Sequence, residues 1–244
     1  MAQRVLILGG TGGIGSALAR IVVAAGGRVF LAGRDAAKLD TFGGELGMPT
    51  AAVDAADLDA VDACADRAAE ALGGLTGMAN CVGSILLKPA HLTSPAEWQS
   101  TLAQNLTSGF GCVRAAGRLL KTDGGSVVLV SSAAARIGLA NHEAIAAAKA
   151  GLEGLVRSAA ATYARQRIRF NAVAPGLVRT PLTRGLVSTE LAEKASLAMH
   201  PLGRIGEPAD VARAIAFLLD PAQDWITGQV LGVDGGLADL KPRA

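Results

Sequence analysis

Seven residues near the start of the chain, Gly9-Gly10-Thr11-Gly12-Gly13-Ile14-Gly15, include five glycines. Backbone without side chains can turn tightly and lie against a pyrophosphate. A helix opening at the end of the run adds free N–H groups and a partial positive charge. A glycine run alone is also compatible with an ordinary tight turn. Its place between a first strand pattern and a first helix pattern points to a dinucleotide, with Gly9, Thr11, Gly13, Ile14 and Gly15 as the expected contacts. The second strand pattern ends in Ala32-Gly33-Arg34-Asp35. A carboxylate at the end of this strand would bind a ribose diol and repel a 2′-phosphate. A guanidinium suits a phosphate through its charge and paired N–H donors. Gly33 followed by Arg34 therefore favours NADP(H) over NAD(H). The plainer reading leaves Arg34 as a solvated surface charge and Asp35 as a helix cap.

These residues need a scaffold, and the hydrophobic pattern describes one. Strand-length apolar runs at Val5–Leu8, Val29–Ala32, Ala51–Val53, Thr76–Asn80, Val127–Val130, Ile168–Val173 and Gln229–Val233 alternate with helical patterns. The helices are expected at Ile14–Ala25, Asp57–Leu72, from Ser94 to about Leu120, Glu143–Arg165 and Ala209–Leu219. Ser94-Pro95-Ala96-Glu97 is a helix start, with Ser as cap, Pro first and Glu reaching back; Gly109 and Gly111 suggest a bend in the helix it opens. Such alternation, with near-continuous apolar strands, means a parallel sheet covered on both faces. The expectation is an α/β fold: one Rossmann-like, doubly wound domain over residues 1–244 with about seven strands. Residues 180–206 break the rhythm and are expected as a loop or lid over the substrate, carrying Leu182, Leu186, Val187, Leu191, Leu197 and Met199.

Composition narrows the function further. Half of the 244 residues are apolar but only 3% are aromatic, so Ala, Val, Leu and Gly must fill the core. Net charge is +2 with scattered basic residues, which gives little reason to expect nucleic acid. No apolar stretch reaches the ~18 residues of a membrane span. Cys64, Cys81 and Cys112 have neither metal nor disulfide spacing, and no metal site is expected. A reduced, cytoplasmic protein is the expectation.

Further motifs extend along most of the chain. They are Asp54 after the third strand, Asn80-Cys81-Val82-Gly83, Asn105, Ser132 at a strand end, Lys149, and Pro175-Gly176-Leu177-Val178-Arg179-Thr180. Pro201-Leu202-Gly203-Arg204, Thr227-Gly228-Gln229 and Val233-Asp234-Gly235-Gly236 complete the set. From about residue 4 to 237 the chain resembles the short-chain dehydrogenase/reductase family. The glycine spacing matches at Gly9, Gly13 and Gly15, with Leu8 in place of the usual Thr, and Cys81 and Val82 depart from an N-N-A-G turn. The resemblance implies that Asp54 holds adenine and that Asn80 and Gly83 border the adenosine ribose. Lys149 would hold the nicotinamide ribose. Pro175, Gly176, Val178 and Thr180 would hold the nicotinamide amide. Asn105 would anchor a water next to the Lys, and Ser132 would bond the substrate oxygen. The implied reaction is hydride transfer between the cofactor and a small-molecule carbonyl or secondary alcohol. Relatives are often dimers or tetramers, and the Ala- and Gly-rich helix containing Lys149 suits packing against its copy, so a homodimer or homotetramer is expected.

One position breaks the family pattern. Thirteen residues after Ser132 and four before Lys149, where the family carries a tyrosine that moves the proton, stands Ile145. Losing a general acid typically costs ~10²–10⁴ in rate, about 3–5 kcal/mol of barrier. Tyr163, the only tyrosine, lies eighteen residues further on, about 27 Å along a continuous helix, too far to substitute within one subunit. His142, three residues before Ile145 and beside Glu143, is a candidate proton donor. The alternative is that it borders the helix start in solvent. Two functions stay open: an oxidoreductase with an altered proton relay, or a dinucleotide-binding sensor or partner subunit with impaired turnover.

Overall fold

The apolar runs form strands because both faces of the sheet they build are covered. In the computed structural model, which describes residues 2–241, seven strands lie in the order β3-β2-β1-β4-β5-β6-β7. They are β1 (Arg4–Leu8), β2 (Arg28–Gly33), β3 (Thr50–Ala52), β4 (Gly77–Asn80), β5 (Gly125–Val130), β6 (Ile168–Pro175) and β7 (Val230–Val233), and every neighbouring pair is parallel. The chain begins at the centre, winds out to β3 and returns across β1 to β4. Loops leaving β1 and β4 therefore part in opposite directions and open a crevice at the carboxyl ends of the strands. The expected single α/β domain with a doubly wound parallel sheet is what the chain forms.

The helices are α1 (Gly13–Ala24), α2 (Ala36–Leu46), α3 (Leu58–Leu72), α4 (Pro95–Leu102), α5 (Ser108–Leu119), α6 (Glu143–Tyr163), α7 (Glu190–Met199) and α8 (Pro208–Leu219). Helices α3, α5 and α6 cover one face of the sheet; α1, α2 and α8 cover the other. Ala65, Ala68, Ala115, Ala116, Ala159 and Ala160 are all buried, so small side chains bring helices close in place of aromatic bulk.

Several expectations need correction. The helix from Ser94 does start with a capping box, Ser94 Oγ accepting from Glu97 N at 3.2 Å and Glu97 Oε2 accepting from Ser94 N at 2.8 Å. It does not continue regularly to Leu120. A π turn at Ala103–Thr107 separates α4 from α5, and it precedes Gly109 and Gly111. There the Asn105 side chain donates to the Thr101 carbonyl at 3.0 Å, inserting into the backbone ladder. The two glycines serve packing instead: a Cβ on Gly109 would stand 2.2 Å from Leu152 Cδ1, and one on Gly111 3.1 Å from Leu58 Cδ2. Helix α2 was anticipated only by the reading of Asp35 as a helix cap, and α7 occupies part of the segment expected as irregular. Among the described residues no helix is long and apolar enough to cross a membrane, and no cluster of His, Cys, Asp and Glu could hold a metal ion.

Candidate active site

The glycine turn is shaped by close approach. Gly9 adopts φ 76°, and a Cβ there would lie 2.9 Å from the Cys81 carbonyl carbon. A Cβ on Gly15 would lie 2.2 Å from the Gly9 carbonyl oxygen, so α1 begins hard against the turn. Gly9, Thr11, Gly13 and Ile14 line a cleft of about 420 Å³ that also takes in Gly12, Gly33 and Arg34. Gly15 supports this wall from beneath. The helix N-terminus and the glycine backbone thus face the cleft, as an anion-binding turn requires.

At the far rim, Arg34 is exposed and Asp35 caps α2, accepting from Lys38 N at 3.1 Å. The other Asp35 oxygen pairs with Lys38 Nζ at 3.0 Å. Lys38 holds the Asp35 carboxyl below its ordinary range, first through this side-chain bond and then through its backbone N–H. The capping role considered for Asp35 is real, and Lys38 adds a second cation to the rim beside Arg34. Asp54 is exposed, its carboxylate accepting from Ala56 N at 3.0 Å; its neighbours Val53 and Ala55 line the cleft.

Asn80 is buried and acts through backbone. Its Oδ1 accepts from Val82 N at 3.0 Å and its Nδ2 donates to Ser108 Oγ at 3.1 Å, which fixes the Cys81–Gly83 turn along the cleft. Gly83 joins this turn to the deeper groups: a Cβ there would meet Asn105 Oδ1 at 3.1 Å and Lys149 Nζ at 3.6 Å. Asn105 is itself tied down, accepting from Ser84 N at 3.1 Å and donating to Ser84 Oγ at 2.9 Å. Lys149 donates to the Val130 carbonyl at 2.6 Å. Burial pushes its pKa down from 10.5 to about 8, against a smaller opposing effect of Cys81. Desolvation also pushes the Cys81 thiol up to about 12, which disfavours its thiolate.

Ser131 fastens the end of β5 to α6, donating to Glu153 Oε1 at 3.0 Å and lying 3.4 Å from the Lys149 carbonyl oxygen. Ser132 is half-buried and accepts from Ala134 N at 3.1 Å. It caps a turn, a role that leaves its own hydroxyl proton for another partner. Ile145 is 5% exposed, one helical turn before Lys149. His142 stands just before α6 and makes no side-chain cap; its Nδ1 lies 2.7 Å from the Ala140 carbonyl oxygen. It is not among the residues lining the cleft. Tyr163, at the far end of α6, packs on Phe170 with ring centroids 5.5 Å apart, away from the cleft as its spacing indicated.

Pro175, which ends β6, and Val178 just after it are buried, and Gly176 leaves room for His200, whose Nε2 would be 2.8 Å from an added Cβ. Thr180 packs over Gly13 and lines the cleft with Pro181 and Leu182. The structure thus gathers the glycine turn, Arg34, Gly83 and Thr180 at one cleft, with Asn105 and Lys149 behind Gly83. Sequence reasoning missed Lys38, Gln104 and Pro181, which also line it, and placed Leu182 over the substrate rather than at this wall. Gln104 precedes Asn105 on the π turn and Lys38 lies in the first turn of α2, and neither residue type marks a face turned to the cleft.

A family model described as Enoyl-(Acyl carrier protein) reductase matches residues 9–238. Cis-4-hydroxycyclohexanecarboxylate dehydrogenase of Sinomonas cyclohexanicum is 38% identical over 243 residues, with 96% of each chain covered. A solved short-chain type dehydrogenase/reductase from Mycobacterium ulcerans superposes with a TM-score of 0.93 at 30% identity, over 97% of this chain and 90% of that one. The structure of ElxO with a tyrosine replaced by phenylalanine and NADPH bound gives 0.90 at 27% identity, over 97% and 99%.

Proposed function

The chain belongs to the short-chain dehydrogenase/reductase family, and we propose that it is an oxidoreductase moving hydride between NADP(H) and a small-molecule carbonyl or secondary alcohol by a proton route that uses no phenol. The observation that carries this reading is the cleft itself. A glycine-lined wall at a helix N-terminus runs to Gly83, where an added Cβ would stand only 3.6 Å from the buried Lys149 Nζ. Named relatives include a dehydrogenase acting on a hydroxycyclohexane carboxylate, and a structural neighbour binds NADPH after losing a tyrosine hydroxyl.

The residues present fit the dinucleotide. Side chains at Gly9, Gly13 or Gly15 would collide with Cys81, Thr180 and the Gly9 carbonyl respectively and so disrupt the turn on which a pyrophosphate would rest. Arg34 supplies an exposed cation at the rim for a 2′-phosphate, the basis for preferring NADP(H), and Lys38 adds a second whose charge is shared with Asp35. When bound, the cofactor supplies the hydride. The chain holds it: Lys149 offers its ammonium to the nicotinamide ribose, and the turn from Gly176 to Thr180 offers backbone to the carboxamide. Ser132 offers a hydroxyl to the substrate oxygen. Asn105, fixed by Ser84, keeps the π turn and its carbonyls in place beside Lys149.

Ile145 occupies the position of the family's proton-moving tyrosine and has no proton to give. We assign the relay to His142, three residues before Ile145; it stands at the start of α6 outside the lining of the cleft, with Nδ1 2.7 Å from the Ala140 carbonyl oxygen and Nε2 left as the exchangeable site. Residues 180–206 form the lid over the substrate. Exposed Ala147, Ala150 and Gly151 on α6 would admit the same helix of a second copy. The buried hydrocarbon of Ile145 favours one other reading, a dinucleotide-binding sensor or partner subunit without turnover.

Fluorescence titration with NADPH and NADH, followed by NADPH oxidation against a panel of ketones and quinones, tests these readings. Binding with oxidation supports the oxidoreductase. Binding without oxidation of any panel member supports the sensor. Absence of binding to both dinucleotides removes both.

A further inference from the structure

His200 is 3% exposed and lies directly after α7, in the segment whose first residues, Thr180 to Leu182, line the cleft. Its Nδ1 is 2.7 Å from the Ser196 carbonyl oxygen, in the last turn of α7. Its Nε2 is 3.1 Å from the Leu177 backbone nitrogen, in the turn that follows β6. The Leu177 N–H can only donate, so Nε2 must accept and the ring proton must sit on Nδ1, where the Ser196 carbonyl accepts it. One neutral tautomer satisfies both partners; the other sets N–H against N–H and lone pair against lone pair. Gly176 makes the approach possible, since any Cβ there would lie 2.8 Å from Nε2. The Leu177 carbonyl is held as well, accepting from Gly206 N at 3.0 Å, and Arg179 N donates to the Gly206 carbonyl at 2.8 Å. Leu177 is therefore gripped at both backbone groups, three residues before Thr180 enters the cleft.

We propose that His200 is a positioning residue: its Nδ1-protonated imidazole locks the lid helix to the Gly176–Leu177 turn and so sets the placement of the backbone that receives the nicotinamide carboxamide. The part concerning the carboxamide rests on the function proposed above. The part concerning the imidazole does not.

The test compares the wild-type protein with His200→Gln, whose amide oxygen can accept from Leu177 N, and His200→Leu, which can neither accept nor donate. Nitrogen-15 imidazole spectra of the unliganded protein should contain a neutral ring protonated at Nδ1 that disappears in both variants. A lost signal protonated at Nε2 overturns the proposal. Exchange of the Leu177 amide hydrogen should quicken about tenfold or more in His200→Leu and return toward wild type in His200→Gln. The dissociation constant for NADPH should rise about tenfold in His200→Leu and stay within about threefold in His200→Gln. Unchanged exchange in His200→Leu, or a His200→Gln variant as impaired as His200→Leu, overturns it. If His200→Leu does not fold, the spectra and His200→Gln decide. If the wild type binds no NADPH, the assigned function fails while the spectra and the amide exchange still judge the lock.

Discussion

Lys149 sits in the interior with its Nζ on the Val130 carbonyl, an arrangement that an ordinary helix lysine does not adopt. Its lowered pKa has a cost. An unfolded chain keeps the proton up to about 10.5, whereas the folded protein releases it above about 8. Between these values the unfolded state binds more protons, so stability rises with pH across that window, and below about 8 the full penalty applies. Lys149→Met should therefore stabilise the unliganded protein at pH 7 by about 2 kcal/mol, being about 3 from the charge less about 1 for the lost bond to Val130. The advantage should shrink when urea unfolding is repeated at pH 10, while NADPH affinity falls. A variant no more stable than wild type at pH 7 would mean the ammonium is better solvated than its burial indicates. The neighbouring Ile145 predicts the opposite trade. Ile145→Tyr restores a phenol one turn before Lys149, and on any ketone the protein reduces, turnover should rise by roughly 10²–10⁴ with NADPH affinity little changed. No rise in steady-state assays would show either that His142 already supplies the proton or that Ser132 or the substrate pocket has also diverged. At the rim, Arg34→Ala combined with Lys38→Ala should weaken NADPH binding at least about tenfold and leave NADH binding nearly unchanged, by the same titration.

Between residues and fold stand the helices that present them, and α5 depends on one unusual contact. Gly109 lets Leu152 of α6 approach until an added methyl would be 2.2 Å from Cδ1. Gly109→Ala should cost about 1–3 kcal/mol in urea unfolding by overpacking. In a Leu152→Ala background, where the obstructing carbon is gone, the same change should cost at least about 1 kcal/mol less. Equal costs in both backgrounds would refute the contact. Here the sequence misled: Gly109 and Gly111 read as a bend, because a glycine in a helix pattern does not say whether it serves backbone freedom or close packing. The real irregularity, the π turn at Ala103–Thr107, arises from a side chain entering the hydrogen-bond ladder, which residue types do not reveal. Strands were legible because burial on both faces makes them continuous apolar runs. Helix α2 was not, since it buries only Leu39 and Gly43 and contains two adjacent glycines. Helix α7 buries only Ser196, so no apolar period marks it.

Over the whole molecule, sheet order converts segments distant in the sequence into one crevice, and this is where the sequence was most and least informative. The glycine turn and Arg34 were readable because each reports a local backbone or charge requirement. Lys38 and Gln104 were not, because lining a cleft depends on which face of its element a residue occupies once the sheet is wound. The segment after β6 belongs to both groups: Thr180, Pro181 and Leu182 line the dinucleotide cleft, while α7 follows them and is anchored by His200 and by the Arg179–Glu193 ion pair. A dinucleotide in the cleft would add contacts to Thr180, Pro181 and Leu182, and binding that orders a segment suppresses its local opening. Arg184 and Lys194 are exposed within it and are tryptic sites. Saturating NADPH should slow cleavage after both residues by about tenfold or more, corresponding to about 1.4 kcal/mol of local stabilisation, as followed by mass spectrometry of the earliest fragments. In His200→Leu the protection after Lys194 should be smaller than in the wild type, because α7 would no longer be tied to the turn that the cofactor engages. Equal rates with and without NADPH, under conditions where fluorescence shows the site filled, would mean that residues 180–206 do not act as a lid.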